Sequence, residues 1–401
     1  MNNLKSKVER EIERSNGILR LEPTWVARDF LPAGRRFGLP ENQYELGDRG
    51  GISERWLASI TEADNRVKVP KEGLSFLTLD SHDRITLADA VKASSESILG
   101  AEYARTHPRG LDRLAKLFDY KCRIPYHLHP MKQHATLVGR NPKEEAYYFP
   151  EGVDLGPEPE TYLGVHPSIV EEKNYEILLP YLEAWDSDLI LRNSRAYKLV
   201  AGDGWHIPAG ILHAPGSALT VELQEDSDVY AILQAKAGGK IVSKEFLFKD
   251  VRPEDRKEYG ERFILDMVDW PANGDPYFFE NHHTPPIPVA GPAQPGGSEE
   301  WIFYNTHKFS GKKLVVRPRQ RYVSRDSGVY SLFAWRGRGT FDGHPVEGGN
   351  PGMDELLICH AKAVADVVVE NTGNEDLVVM KFFGPDVNKD VPMLKPYSSR
   401  K

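Results

Sequence analysis

The sequence predicts a mainly β protein of two sandwich-like units, with helices inserted in the first. Three features point there. The chain has 401 residues, more than one hydrophobic core usually serves, so two units are expected. From Lys121 onward, short β candidates recur between turn residues. A segment dense in Pro and Gly then separates these runs from a second, smaller set.

Taken in order, residues 1–18 read as a charged, amphipathic helical arm. Residues 19–250 form the first unit. Within it Leu87 to Gly100 has helical spacing, with Thr86 placed to cap it. Its strand candidates are Tyr126–Pro130, Glu145–Phe149, Ala196–Val200, Leu219–Gln224 and Val229–Gln234. Between them Ser168 to Asn193 carries Leu, Ile, Tyr and Trp at helical spacing, which predicts a helical insertion at about 165–195. Residues 251–300 form the connection, and Pro271, Pro276, Pro285, Pro286 and Pro288 predict a stiff, extended path. Residues 301–390 form the second unit, with Leu314–Arg317, Val329–Trp335, Leu356–His360, Val364–Glu370 and Leu377–Phe382 as strands. Closed or nearly closed sandwiches suit strands this short.

Composition narrows the function. The net charge of -8, with 27% charged residues, gives no general attraction to nucleic acid or anionic lipid. No run approaches the ~20 apolar residues of a membrane span, and Met1 to Asn16 has no apolar signal core. Two cysteines far apart make no disulfide framework. These features predict a cytoplasmic protein without nucleic-acid or membrane partners. They leave its oligomeric state open.

The chemistry concentrates in three segments. Gly202 to His213, GDGWHIPAGILH, fits G-x5-P-x-G-x2-H: a glycine turn opens a strand, Pro and Gly shape a bend, and a histidine follows. It resembles the second cupin motif. Tyr126-His127-Leu128-His129-Pro130 places two imidazoles on one face of a strand, because alternate side chains share a face. Imidazole suits Zn, Fe, Mn or Ni. In Lys143-Glu144-Glu145 the two carboxylates point to opposite faces, so only one of them can join the histidines.

The ordered set resembles type I mannose-6-phosphate isomerase, a zinc-dependent bicupin family, over most of residues 20–235. Glu54-Arg55-Trp56 is similar to the family's Glu-x-Trp. His127-Leu128-His129-Pro130 matches its Gln-x-His-Pro with His in place of Gln, and Lys143-Glu144-Glu145 matches its Lys-Pro-Glu. The resemblance implies two cupin (double-stranded β-helix, jelly-roll) domains; the second unit lacks a His-x-His pair and the Pro-Ala-Gly-x-x-His pattern, so no metal is expected there. The resemblance also implies a metal held by His127, His129, Glu145 and His213. Zn2+ is the leading ion, with Mn2+ or Fe2+ as alternatives. Glu222 stands where the family has a glutamate beyond its last ligand, and Ser227-Asp228 repeats the Ser-Asp pair that follows it. Two departures bear on the substrate. The family's arginine after that pair is missing from Val229-Tyr230-Ala231-Ile232, and a serine is replaced by Pro125.

These residue types suit aldose–ketose isomerisation, in which a proton moves between neighbouring carbons through an enediol(ate). Glu222 is the expected base, and Lys143 would shuttle a proton or hold a hydroxyl. Lys132 and Arg123 are candidate substrate donors. The expected ligand is a sugar or sugar phosphate, with a free sugar turned over at least as well as the phosphate. Two rivals share the metal set: a sugar-binding or regulatory bicupin without turnover, and an Fe(II) dioxygenase. His282 and His283 in the Pro-rich segment are read as solvated. His134 and His206 lie beside the ligand segments in sequence.

Overall fold

Strands buried on both faces need apolar neighbours on both sides, and four stacked sheets supply them. The computed structural model describes residues 2–399. A five-stranded sheet runs Arg195–Lys198, Glu160–Leu163, His213–Ala214, His127–Leu128, Ala231–Ile232. A six-stranded sheet runs Gly204–Ile207, Glu145–Tyr148, Thr220–Gln224, Leu114–Phe118, Gly51–Leu57, Thr24–Arg28. Phe118, Tyr147 and Trp205 of the six-stranded sheet pack with Leu163 and Ile232 of the five-stranded one. The opposite face of the six-stranded sheet, with Leu117, Ala146 and Val221, packs on Phe303, Phe333 and Phe382 of a seven-stranded sheet. That sheet shares a further core with a four-stranded one through Leu332, Val379, Phe341 and Val369. The pairings are antiparallel, and the fold is mainly β and cupin-like.

Side-chain alternation positions the site. In Glu145–Tyr148, Ala146 and Tyr148 face the seven-stranded sheet, so Glu145 and Tyr147 face the five-stranded one. By the same count Glu222 and Lys116 face inward, while Val221, Leu223, Ala115 and Leu117 face outward. Registers then set the neighbours: Glu222 lies opposite Tyr147 on one side and Lys116 on the other.

Helices and 3-10 turns fill the chain between Glu160–Leu163 and Arg195–Lys198, namely Pro167–Glu171, Tyr175–Leu178, Leu179–Ala184 and Leu189–Asn193. Their Leu178 and Leu182 cover the outer face of the five-stranded sheet at Leu128, Leu212 and Ala231. Thr86 caps the helix Leu87–Ala93 by accepting from the Asp89 N–H.

Two local readings differ. The Pro-rich segment is not a simple extended path, because Trp270–Asn273 and Phe278–His282 are helices. Pro271 sits in a first turn, where its missing N–H is not needed, and Asp269 caps that turn through the Ala272 N–H. Near the chain start, Ile18–Arg20 pairs with Leu356–Ile358 in the seven-stranded sheet rather than with its sequence neighbours. It covers what would otherwise be a bare sheet edge. Among the described residues no helix is long and apolar enough to cross a membrane.

Candidate metal centre

His127 and His213 lie opposite each other on adjacent antiparallel strands, and their rings stand 4.0 Å apart between centroids. His129 follows two residues after His127, with its ring 5.0 Å from each of the others. The Pro208–Gly210 bend brings His213 to this place. Its Gly210 N–H donates to the His129 carbonyl at 2.8 Å. Gly210 has φ +85°, and a Cβ there would lie 2.9 Å from Met131 Cγ, so a larger residue would be strained and would push Met131 aside.

Backbone carbonyls fix the three imidazoles in one tautomer. Each Nδ1 is within hydrogen-bond reach of a carbonyl oxygen: Pro125 for His127 at 2.7 Å, Val229 for His129 at 2.7 Å, and Ile211 for His213 at 2.8 Å. A carbonyl only accepts, so each Nδ1 carries the proton and each Nε2 keeps its lone pair, which at His129 accepts from Lys143 Nζ at 3.0 Å. The three rings supply ligand atoms within 4.8 Å of one another. Burial, with the neighbouring His213 and His129, holds His127 far below the usual imidazole range. Burial and Lys143 push His129 down to about 3. With Nδ1 committed in all three, each ring presents Nε2 to a cation.

Glu145 lies beside two of the three rings. Its Oε2 is 3.0 Å from His129 Nε2 and its Oε1 is 3.0 Å from His213 Nε2. Adjacent ligands at about 2.1 Å from one ion stand roughly 3 Å apart or slightly more, so these separations fit one coordination shell. His213 Nε2 is buried without a hydrogen bond, as a metal donor would be. The Tyr147 hydroxyl donates to Glu145 Oε1 and orients the carboxylate. Glu144 faces the other way and meets His206 Nε2 at 2.9 Å.

From Glu145 a line of alternating charges runs through the cleft. Lys143 Nζ is 2.7 Å from Glu145 and 3.2 Å from Glu222. Lys116 Nζ is 3.3 Å from Glu222 and 3.8 Å from Glu54. Arg28 then joins Glu54 at 3.1 Å to Asp228 at 3.0 Å. Burial pushes the Glu222 carboxyl up to about 7, against the pull of Lys116 and Lys143. Burial alone would lower the Lys143 ammonium, but Glu145 and Glu222 outweigh it and hold Lys143 protonated. The cleft, with about 50 Å³ of enclosed space, is lined by Lys143, Glu222, Lys116, Glu54, Arg28 and Asp228 together with aromatic rings, among them Phe30, Tyr120 and Tyr230.

His127, His129, Glu145, His213, Lys143 and Glu222 therefore converge. Arg123 and Lys132 are not brought in. Arg123 is held by Glu160 at 2.8 Å and lies over the Tyr162 ring, and Lys132 is exposed on a short helix. Neither lines the cleft. His282 and His283 are half-buried rather than solvated: His282 stacks on Phe278, and His283 meets Asp203 at 2.9 Å. Arg28 and Lys116 were not singled out from the sequence. Lys116 left a signal, as a lone charge in the middle of the buried strand Leu114–Phe118. Arg28 left none.

No family model matches the chain, and no curated sequence matches it significantly. Solved structures do match in fold. Mannose 6-phosphate isomerase from Bacillus subtilis aligns with a TM-score of 0.60 at 15% identity, over 91% of this chain and 99% of that one. A zinc-bound mannose 6-phosphate isomerase aligns at 0.59 and 12% identity, over 92% and 100%. A single-residue variant of phosphomannose isomerase from Salmonella typhimurium aligns at 0.61 and 12% identity, over 91% and 99%. At this identity the likeness establishes the shared fold.

Proposed function

We propose that this chain is a metal-dependent aldose–ketose isomerase whose ion is held by His127, His129, Glu145 and His213. The observation that carries the reading is the convergence of three histidines, each with Nδ1 committed to a carbonyl, on a carboxylate beside the buried Glu222. The zinc-bound fold neighbour supports zinc as the ion. A divalent ion there would act as a Lewis acid toward a substrate carbonyl and its enediolate.

The chain's own residues supply the proton chemistry. A carboxyl poised near neutrality both accepts and returns a proton at useful rates, and Glu222 has that character. Lys143, held as an ammonium between Glu145 and Glu222, donates to a substrate hydroxyl and keeps Glu222 oriented. Lys116 grips Glu222 from the other side. Glu54 accepts from Trp56 Nε1 at 2.8 Å and from the Tyr120 hydroxyl at 2.6 Å, which fixes the far end of the line. Tyr147 and the surrounding rings keep water away from the reacting carbons.

Metal analysis of the purified protein, followed by a screen of aldoses and ketoses for interconversion, tests the proposal. About one ion per chain, and turnover that a chelator abolishes, are expected. Interconversion that persists after the metal is fully removed would overturn it.

A further inference from the structure

We infer that the substrate of this cleft is an uncharged polyhydroxy carbonyl compound rather than a phosphate ester. The inference rests on the isomerase reading for its chemistry, but its evidence is the charge balance of the lining. Three cations face the cleft, and each is already spent on carboxylates. All the N–H groups of Arg28 used in hydrogen bonding go to Glu54, Asp228 and Asn65, at 2.8 to 3.1 Å. Lys143 is shared by Glu145 and Glu222, and Lys116 by Glu222 and Glu54. Lys249, whose ammonium lies 4.5 Å from the Tyr230 ring centre, is bound to Asp64 at 3.0 Å and Asp250 at 3.1 Å.

A phosphate monoester brings up to two negative charges and is normally gripped by Arg, Lys or backbone N–H donors. Here it would have to displace an existing carboxylate from a buried cation, and the freed carboxylate would then repel it. Carboxylates that accept from sugar hydroxyls need no such exchange. The remaining wall is aromatic: Phe30 stands 5.4 Å from Tyr120 and 6.3 Å from Tyr230 between ring centres. Ring faces of this kind suit the C–H faces of an uncharged sugar.

The test is titration calorimetry on the purified, metal-loaded protein with a panel of free aldoses and ketoses, their phosphates and inorganic phosphate. kcat/KM is measured on the same panel. At least one free sugar should bind as tightly as its phosphate or more so, and inorganic phosphate should not compete with it. Asp228→Asn, which removes one negative charge and one of the two acceptors Asp228 offers Arg28, should raise the relative affinity for the phosphate by about tenfold. A phosphate bound and turned over tenfold better than every free sugar overturns this inference and leaves the isomerase reading standing. Free sugar bound without any turnover keeps the inference and removes the isomerase reading. Binding of nothing on the panel overturns both.

Discussion

Arg28→Met removes the cation that joins Glu54 to Asp228 while keeping most of the side-chain volume. The Arg28 side chain is 3% exposed, and its two partners are 5% and 7% exposed. Removing one partner of a buried pair typically costs about 3–5 kcal/mol, because an uncompensated charge remains. Burial pushes the Glu54 carboxyl up, but Arg28 and Lys116 outweigh it and hold it at about 2. Against the same burial, Arg28 and Lys249 hold Asp228 well below the usual carboxylate range. Both folded-state values lie below the unfolded ones of about 4. Their stabilisation is therefore present above roughly pH 4 to 5 and is lost as the pH falls toward 2. The variant's deficit should be largest near neutral pH and should shrink in acid. Urea unfolding of both proteins at about pH 7 and about pH 3.5 measures it. A deficit below about 1 kcal/mol at neutral pH, or one equal at both pH values, would refute the reasoning.

Three further outcomes follow from the site. Glu222→Gln should leave metal content nearly unchanged while lowering turnover about a hundred- to ten-thousandfold, with some loss of stability because Lys116 and Lys143 each lose a buried partner; a wild-type rate excludes Glu222 as the base. Tyr147→Phe removes the hydroxyl that orients Glu145 and should weaken metal affinity about 10- to 100-fold, read by competition with a chelator. His213→Ala should strip metal from the protein on purification, and full occupancy by elemental analysis would remove His213 from the ligand set.

The convergence of the three histidines was legible because its physics is local. The two-residue period of a strand puts His127 and His129 on one face, and the Pro-Gly bend fixes how His213 arrives. That Glu145 rather than Glu144 faces the histidines needed the family resemblance, since alternation alone says only that the two diverge. Arg28 was not legible: its partners Glu54 and Asp228 are set by strand packing, and an arginine at a strand end reads as solvated until its neighbours are known. The pairing of Ile18–Arg20 with Leu356–Ile358 joins opposite ends of the chain, and nothing in a three-residue apolar run specifies that distance. The prolines misled for a simpler reason. Proline is as well suited to a helix's first turn as to an extended linker, and the Asp269 cap decides between them. Arg123 and Lys132 are cations whose type suits a substrate donor, but side-chain type does not say where they point. Arg123 is tied instead to the acidic strand Glu160–Leu163, and Lys132 faces solvent.

Proton NMR of the metal-loaded protein with free aldoses and ketoses in deuterated water tests the isomerase reading most directly. Transfer of a proton between neighbouring carbons through a carboxylate should convert aldose to ketose and place solvent deuterium at the carbon beside the carbonyl. Both signals should vanish on chelation and return with zinc. A protein that carries one ion per chain and binds sugar, yet gives neither interconversion nor deuterium exchange, would contradict it.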